Sequence, residues 1–143
     1  ATALVLDFWA VWCEPCKEEL PYLETMYREL ADKGLVVLAA TIDPYDAEVA
    51  IFESLDNSEG TPNDNKIKKS WKKLGEFKAI DGNIITMPVP VDGERLMAQA
   101  LGVTSIPRTF LIDKDHKLFY QHTGFDEGKV NELKEKVKEL MGL

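Results

Sequence analysis

The sequence predicts an α/β domain with a central mixed β-sheet flanked by helices, and an enlarged insertion between the second core strand and a proline-bearing loop near residue 107. Three observations predict it. Two short apolar runs, Leu4 to Trp9 and Leu35 to Ile42, have the length and composition of strands buried on both faces. A stretch with apolar residues at three- and four-residue steps lies between them, as a crossover helix would. Near the end, two strand-like runs flank a four-residue turn and are followed by a last amphipathic stretch, so the pattern closes with a hairpin and a helix.

The first strand is apolar except at Asp7. From Glu14 to Lys33, the residues Leu20, Leu23, Met26, Tyr27 and Leu30 form one apolar stripe, Pro21 should kink the helix, and Gly34 can end it. Leu35 to Ile42 is the second strand, and a helix over Asp46 to Leu55 follows. Asp56 to Asn65 has the composition of a loop, and Lys66 to Leu74 can form a short helix. Ile84 to Val91 is extended, but Pro88 and Pro90 suit only an edge or an irregular segment. Glu94 to Leu101 reads as a helix stopped by Gly102. Thr109 to Ile112 and Lys117 to Thr123 pair across the turn Asp113 to His116. Val130, Leu133, Val137 and Leu140 then mark a terminal helix that Asp126 can cap.

With 143 residues and no composition break, the chain is expected to be one domain over 1–143, with residues 53–95 as an insertion inside it. A chain of this length buries roughly two-thirds of its unfolded surface and needs no covalent staple. The cysteines are therefore free for chemistry. No apolar stretch approaches the ~18 residues of a membrane span, and a net charge of −8 argues against nucleic acid as the main partner. Ala1-Thr2-Ala3 lacks the basic flank of a signal peptide, so the chain reads as a mature product or an excised domain.

Cys13 and Cys16, the only cysteines, can form neither a disulfide framework nor a four-cysteine zinc site, and a C-x-x-C at a strand-to-helix handover suggests a redox pair. A free thiol with a pKa of ~8.5 is only about 3% thiolate at pH 7. A helix start can stabilise the anion by up to ~2 kcal/mol, or about 1.5 pKa units. Cys13 is therefore the expected nucleophile, and Cys16, a turn further in, the resolving thiol. Pro15 fits the first turn, where its missing N–H costs no bond. Glu14 should raise the neighbouring thiol's pKa and so favour a reductant. Asp7, six residues before Cys13 on a buried strand, is expected to hold its proton unusually tightly and to act as base toward Cys16.

The segment Asp7-Phe8-Trp9-Ala10-Val11-Trp12-Cys13-Glu14-Pro15-Cys16 resembles the active-site segment of thioredoxin-fold oxidoreductases. Cys13 to Tyr22 (CEPCKEELPY) most resembles the TlpA and ResA type of the redoxin family, which are bacterial extracytoplasmic thiol-disulfide oxidoreductases, commonly membrane-tethered reductants. Gly102 to Asp113 (GVTSIPRTFLID) resembles the family's segment around its cis-proline, which would be Pro107. The resemblance implies a thioredoxin-like fold and no bound cofactor. It also implies protein partners with disulfides or thiols, an upstream electron-donor protein, an extracytoplasmic address, and a substrate platform at Ile106 and Pro107. Trp12 would cover the disulfide, and Arg108 is a candidate for specificity.

The likeness covers Leu4 to about Ile51 and Leu96 to Leu143, and three features depart from it. Asp7 matches thioredoxin itself, where the TlpA type usually has asparagine. The family's N-terminal hairpin has no counterpart here, and Cys16 and Pro107 lie 91 positions apart, an unusually long separation. The family's acidic residue after the second core strand stays unassigned, with Asp43 and Glu48 nearby.

Other readings stand beside this one. Trp9 is expected in the core, Trp71 to pack inward, and the six lysines of Lys66 to Lys78 to form a solvated face that could steer acidic partners. His116 is expected at the surface, and neither His116 nor His122 is needed for catalysis. A copper or zinc site using both cysteines and a histidine is an alternative, as is a non-catalytic binding module on the same fold. Peroxidase chemistry would want a threonine where Ala10 stands.

Overall fold

A computed structural model describes residues 2–43 and 85–143 of the chain. The helices expected over 46–55 and 66–74, Glu48, Trp71 and the lysine-rich stretch lie outside the described residues.

Strand β1 (Ala3–Trp9) leads into helix α1 (Glu14–Leu30), a 3-10 turn (Ala31–Lys33) and strand β2 (Leu35–Thr41). After the undescribed stretch come α2 (Leu96–Ala100), β3 (Arg108–Asp113), β4 (Leu118–Thr123) and α3 (Glu127–Met141). The sheet order is β2-β1-β3-β4. β1 pairs parallel with β2, antiparallel with β3, and β3 antiparallel with β4, which makes the sheet mixed as expected. The β1–β2 crossover is α1, whose apolar stripe of Leu20, Leu23, Met26 and Leu30 is buried. Helix α3 lies against both α1 and the sheet: Tyr22 donates to Glu127 Oε1 at 2.9 Å, and Lys134 pairs with Glu29.

The local signals act as their chemistry dictates. Gly34 takes φ +105°, a left-handed conformation that ends the helix–turn unit. Asp126 caps α3 by accepting from the Lys129 amide at 2.8 Å. Asp113 Oδ1 accepts from the amides of Asp115 and Lys117 and so closes the β3–β4 turn. Helix α1 runs through Pro21 unbroken in its span. Helix α2 starts two residues later than its apolar pattern suggests, because Arg95 adopts φ +59° and Asp92 reaches forward to accept from the amides of Met97 and Ala98.

The proline-bearing segment 88–91 lies at the edge of the sheet beside β2. The Ala39 and Thr41 amides donate to the carbonyls of Pro88 and Pro90, and Thr41 bridges Val91 in parallel. Pro90 has no N–H to return to the Ala39 carbonyl. The indole of Trp9 supplies that donor at 2.8 Å.

Glu24 fastens the start of this segment. Although charged, it sits fully buried on the inner face of α1, with Arg28 3.6 Å away. It accepts from the Thr86 hydroxyl, the Thr86 amide and the Met87 amide. Replacing Glu24 with Ala strands the Met87 amide and should cost about 2–3 kcal/mol, lowering Tm by roughly 5–10 °C. Amide exchange at Met87 should accelerate in the same variant, and unchanged exchange there would show that the carboxylate does not hold the segment.

Candidate active site

The two cysteines sit where β1 hands over to α1. Cys13 is the N-cap of α1, with extended backbone (φ −95°, ψ 105°), and Cys16 lies in the first turn after Pro15. They form a disulfide with Cα atoms 5.3 Å apart. The Cys16 amide donates to Cys13 Sγ at 3.3 Å, so one of the otherwise unpaired N–H groups of the helix start already faces the sulfur that would carry charge on reduction. Cys13 is 5% exposed and Cys16 not at all, so only Cys13 can be reached from outside.

The loop ahead of Cys13 is braced from both ends. The Cys13 amide donates to the Ala10 carbonyl, and the Val11 amide donates to Asp43 Oδ2 at 3.1 Å. Asp43 follows β2, is buried, and also takes the Thr41 hydroxyl. Glu14 is exposed and pairs with Lys17 at 3.0 Å.

Trp12 is 59% exposed and, together with Ile106, lines a hollow of about 450 Å³. Ile42, Ala98 and Val103 supply apolar lining, while Arg95 and Gln99 bring polar groups to it. The Ile106–Pro107 peptide is cis. Among the described residues nothing hydrogen-bonds to the backbone N–H or C=O of Ile106. Arg108 faces elsewhere: its guanidinium bonds Thr123 and Gln121 of β4 and lies 5.0 Å over the Phe110 ring.

A buried polar cluster joins β1, α1, β3 and β4. Asp7 pairs with Thr109 in the β1–β3 register, and the Thr109 hydroxyl is 2.9 Å from Asp7 Oδ1 and 2.9 Å from Glu19 Oε1. His122 Nε2 is 2.9 Å from the same Glu19 oxygen. Burial, and secondarily the charge of Glu19, hold the Asp7 carboxyl well above the usual aspartate range, against the opposing effect of the Thr109 hydrogen bond. Among the described residues no three His, Cys, Asp or Glu side chains form a metal-binding group.

The family model described as Redoxin matches residues 2–137. The chain belongs to the Redoxin family. Among its Redoxin relatives, the thiol-disulfide oxidoreductase ResA of Bacillus thuringiensis subsp. konkukian is 28% identical over 135 residues, a match covering 94% of this chain and 61% of the relative. The chain thus spans about three fifths of the length of that relative. A Chlorobium tepidum protein assigned as the thiol:disulfide interchange protein DsbE superposes with a TM-score of 0.73 at 26% identity, over 99% of this chain and 81% of that one. The exposed lipoprotein thioredoxin of Streptococcus pneumoniae gives 0.63 at 27% identity, over 99% and 85%. The thioredoxin-like fold implied by the motifs is therefore the observed one. The Redoxin match also runs on through the insertion, further than the motif resemblance reaches.

Against this Redoxin site, the sequence expectations divide clearly. Cys13, Cys16, Trp12, Ile106 and Pro107 fall where their motifs place them, and Asp7 is inward and buried. Trp9 is in the core, and His116 is exposed in its turn at φ +65°. His122 is 7% exposed and bonded to Glu19. Alternation along β4 turns it inward with Tyr120. Glu19 and Thr109 are functional candidates that sequence reasoning missed, and Asp43, left unassigned there, braces the loop ahead of Cys13. A signal for Glu19 was present, since it falls three residues after Cys16 on the stripe that buries Leu20 and Leu23. A carboxylate on the apolar face of a helix needs partners.

Proposed function

We propose that this protein is a thiol-disulfide oxidoreductase that reduces disulfides in other proteins through Cys13 and Cys16, without a bound cofactor. The observation that carries the reading is the Cys13–Cys16 disulfide at the first turn of α1, with the outer sulfur facing the Cys16 amide and the preceding residue, Trp12, lining a hollow. ResA and DsbE-type relatives with thiol-disulfide names support it.

The chemistry runs as follows. In the reduced protein the Cys13 thiolate attacks a substrate disulfide, displaces one substrate thiolate and forms a mixed disulfide. The substrate chain lies extended in the hollow between Trp12 and Ile106, taking up the Ile106 backbone groups. Cys16 then loses its proton with help from Asp7 and attacks the Cys13 sulfur, releasing the second substrate thiol and restoring the disulfide seen here. An upstream electron-donor protein reduces that disulfide for the next cycle. Glu14 and Pro15 tune the Cys13 thiol, Glu14 weakly, because it is exposed and pairs with Lys17. Arg108 acts on specificity by fixing the strand that follows Pro107.

An address outside the cytoplasm accompanies this reading. It is supported by the resemblance to the TlpA and ResA type and by likeness to an exposed lipoprotein thioredoxin. Among the described residues no helix is long and apolar enough to cross a membrane.

The test uses Cys16→Ala, which removes the resolving thiol and leaves the attacking one. Incubated with a peptide containing one disulfide, the reduced variant should accumulate a covalent adduct on Cys13 that the wild-type chain does not retain. Mass spectrometry reads the mass and the site. If no adduct forms while the variant stays folded, the proposed order of attack is wrong.

A further inference from the structure

The hollow lined by Trp12 and Ile106 holds more polar chemistry than disulfide exchange uses. Helix α2 and the loop ahead of Pro107 bring Arg95, Gln99, Thr104 and Ser105 to it. Arg95 is the only charged side chain in its lining. All four residues are exposed, and among the described residues their side chains make no hydrogen bond or ion pair.

Arg95 does little for the fold at the position it occupies. It is the N-cap of α2, where Ser, Thr, Asp or Asn would supply a capping oxygen, and its side chain makes no cap bond. Its backbone is left-handed (φ 59°, ψ 26°), a conformation that glycine takes at lower cost. The capping falls to Asp92, whose two carboxylate oxygens accept from the amides of Met97 at 3.1 Å and Ala98 at 2.8 Å. Asp92 is thereby committed to the helix and leaves the guanidinium unneutralised. The neighbouring Glu94 does not line the hollow. A cation is thus held on unfavourable backbone, without an intramolecular partner, at the one place where its charge enters the hollow. Strain of this kind collects at binding sites.

The remaining lining says what the cation would meet. Ile42, Ala98 and Val103 give apolar contact, while the Gln99 amide and the Thr104 and Ser105 hydroxyls can donate hydrogen bonds. A guanidinium presents a planar fork of donors that matches a carboxylate. No acidic side chain lines the hollow to compete for it or to welcome a basic segment. Resting on the proposed function, we propose that Arg95 is a specificity-determining residue that selects substrate segments carrying an aspartate or glutamate close to the cysteine under attack, with Gln99, Thr104 and Ser105 as further donors to that carboxylate. The chain as a whole carries −8, so the selection is made at short range in the hollow and not by long-range steering.

The test follows binding to the oxidised wild-type chain by amide and indole NMR shifts of Trp12 and Ile106. The probes are two short peptides that differ only in glutamate or glutamine next to an S-methylcysteine, a half-cystine mimic that cannot exchange. The glutamate peptide should bind roughly twofold to fivefold more tightly, the range of an exposed ion pair, and added salt should shrink the difference. Arg95→Gln should remove the preference, and Arg95→Glu should reverse it and favour a lysine version of the peptide. A role for Arg95 in folding alone would lower Tm and weaken both peptides by the same factor. Equal binding of the two peptides by the wild-type chain, a preference that survives Arg95→Gln, or no binding of either peptide overturns the proposal. The thioether takes part in no exchange, so this result stands apart from whether Cys16→Ala traps an adduct.

Discussion

Cys13→Ser should reduce the turnover of a protein disulfide by at least about a thousandfold, the order expected when a nucleophile that acts as part of a unit is removed. The thiolate is the attacking species, and a serine hydroxyl is not ionised at any working pH. The environment does not rescue it, since one backbone N–H at 3.3 Å and a helix start stabilise an anion that must first form. Nor can Cys16 take over, because it has no exposed surface. The variant should remain folded, as the sulfur is an N-cap acceptor and a hydroxyl accepts there equally well. Turnover of an insulin-type disulfide, followed with a chemical reductant regenerating the enzyme, gives the measurement. Retention of even a tenth of the wild-type rate would refute the assignment of Cys13.

The second large effect concerns Asp7, and its sign changes with the quantity measured. Asp7→Asn should slow release of the mixed disulfide by about a hundredfold or more, the usual contribution of a positioned acid or base. The same substitution should stabilise the fold. Burial, then Glu19, raises the folded-state value well above the usual aspartate range, so the folded chain binds a proton that the unfolded chain has lost. The stability contributed by Asp7 is therefore fully present below about 3.8 and declines as pH rises toward the folded value. Against a carboxamide that never titrates, wild-type Tm should match at acid pH and fall progressively behind above it. Paired melts of the oxidised proteins across that range decide the matter. A constant difference would mean that Asp7 ionises in the folded chain as readily as in the unfolded one.

The order of elements was legible because each rests on a local rule. The buried apolar runs at β1 and β2, the stripe on α1, the Asp113 turn and the Asp126 cap are all properties of a few adjacent residues. The redox pair was legible for the same reason, being a spacing at a strand-to-helix junction. The buried polar cluster was not. Thr109 and His122 become neighbours of Glu19 only through the β3–β4 register and the packing of α1, with about a hundred residues between them along the chain. Arg108 shows the converse limit: its place beside Pro107 made it a candidate for specificity, while its bonds to Gln121 and Thr123 follow from the β3–β4 register.

The near-complete enclosure of the sulfurs bears on how the protein keeps its oxidation state. Small thiols such as glutathione can meet only the 5% of Cys13 that is exposed, and they are too small to gain from a hollow lined by Trp12 and Ile106. On the proposed function, exchange with a low-molecular-weight reductant should be slower than exchange with a macromolecule that fills the hollow and is held there while it reacts. On that function the cysteine pair would be insulated from its medium, its electrons handed on by contact with macromolecules instead of by equilibration with the solution.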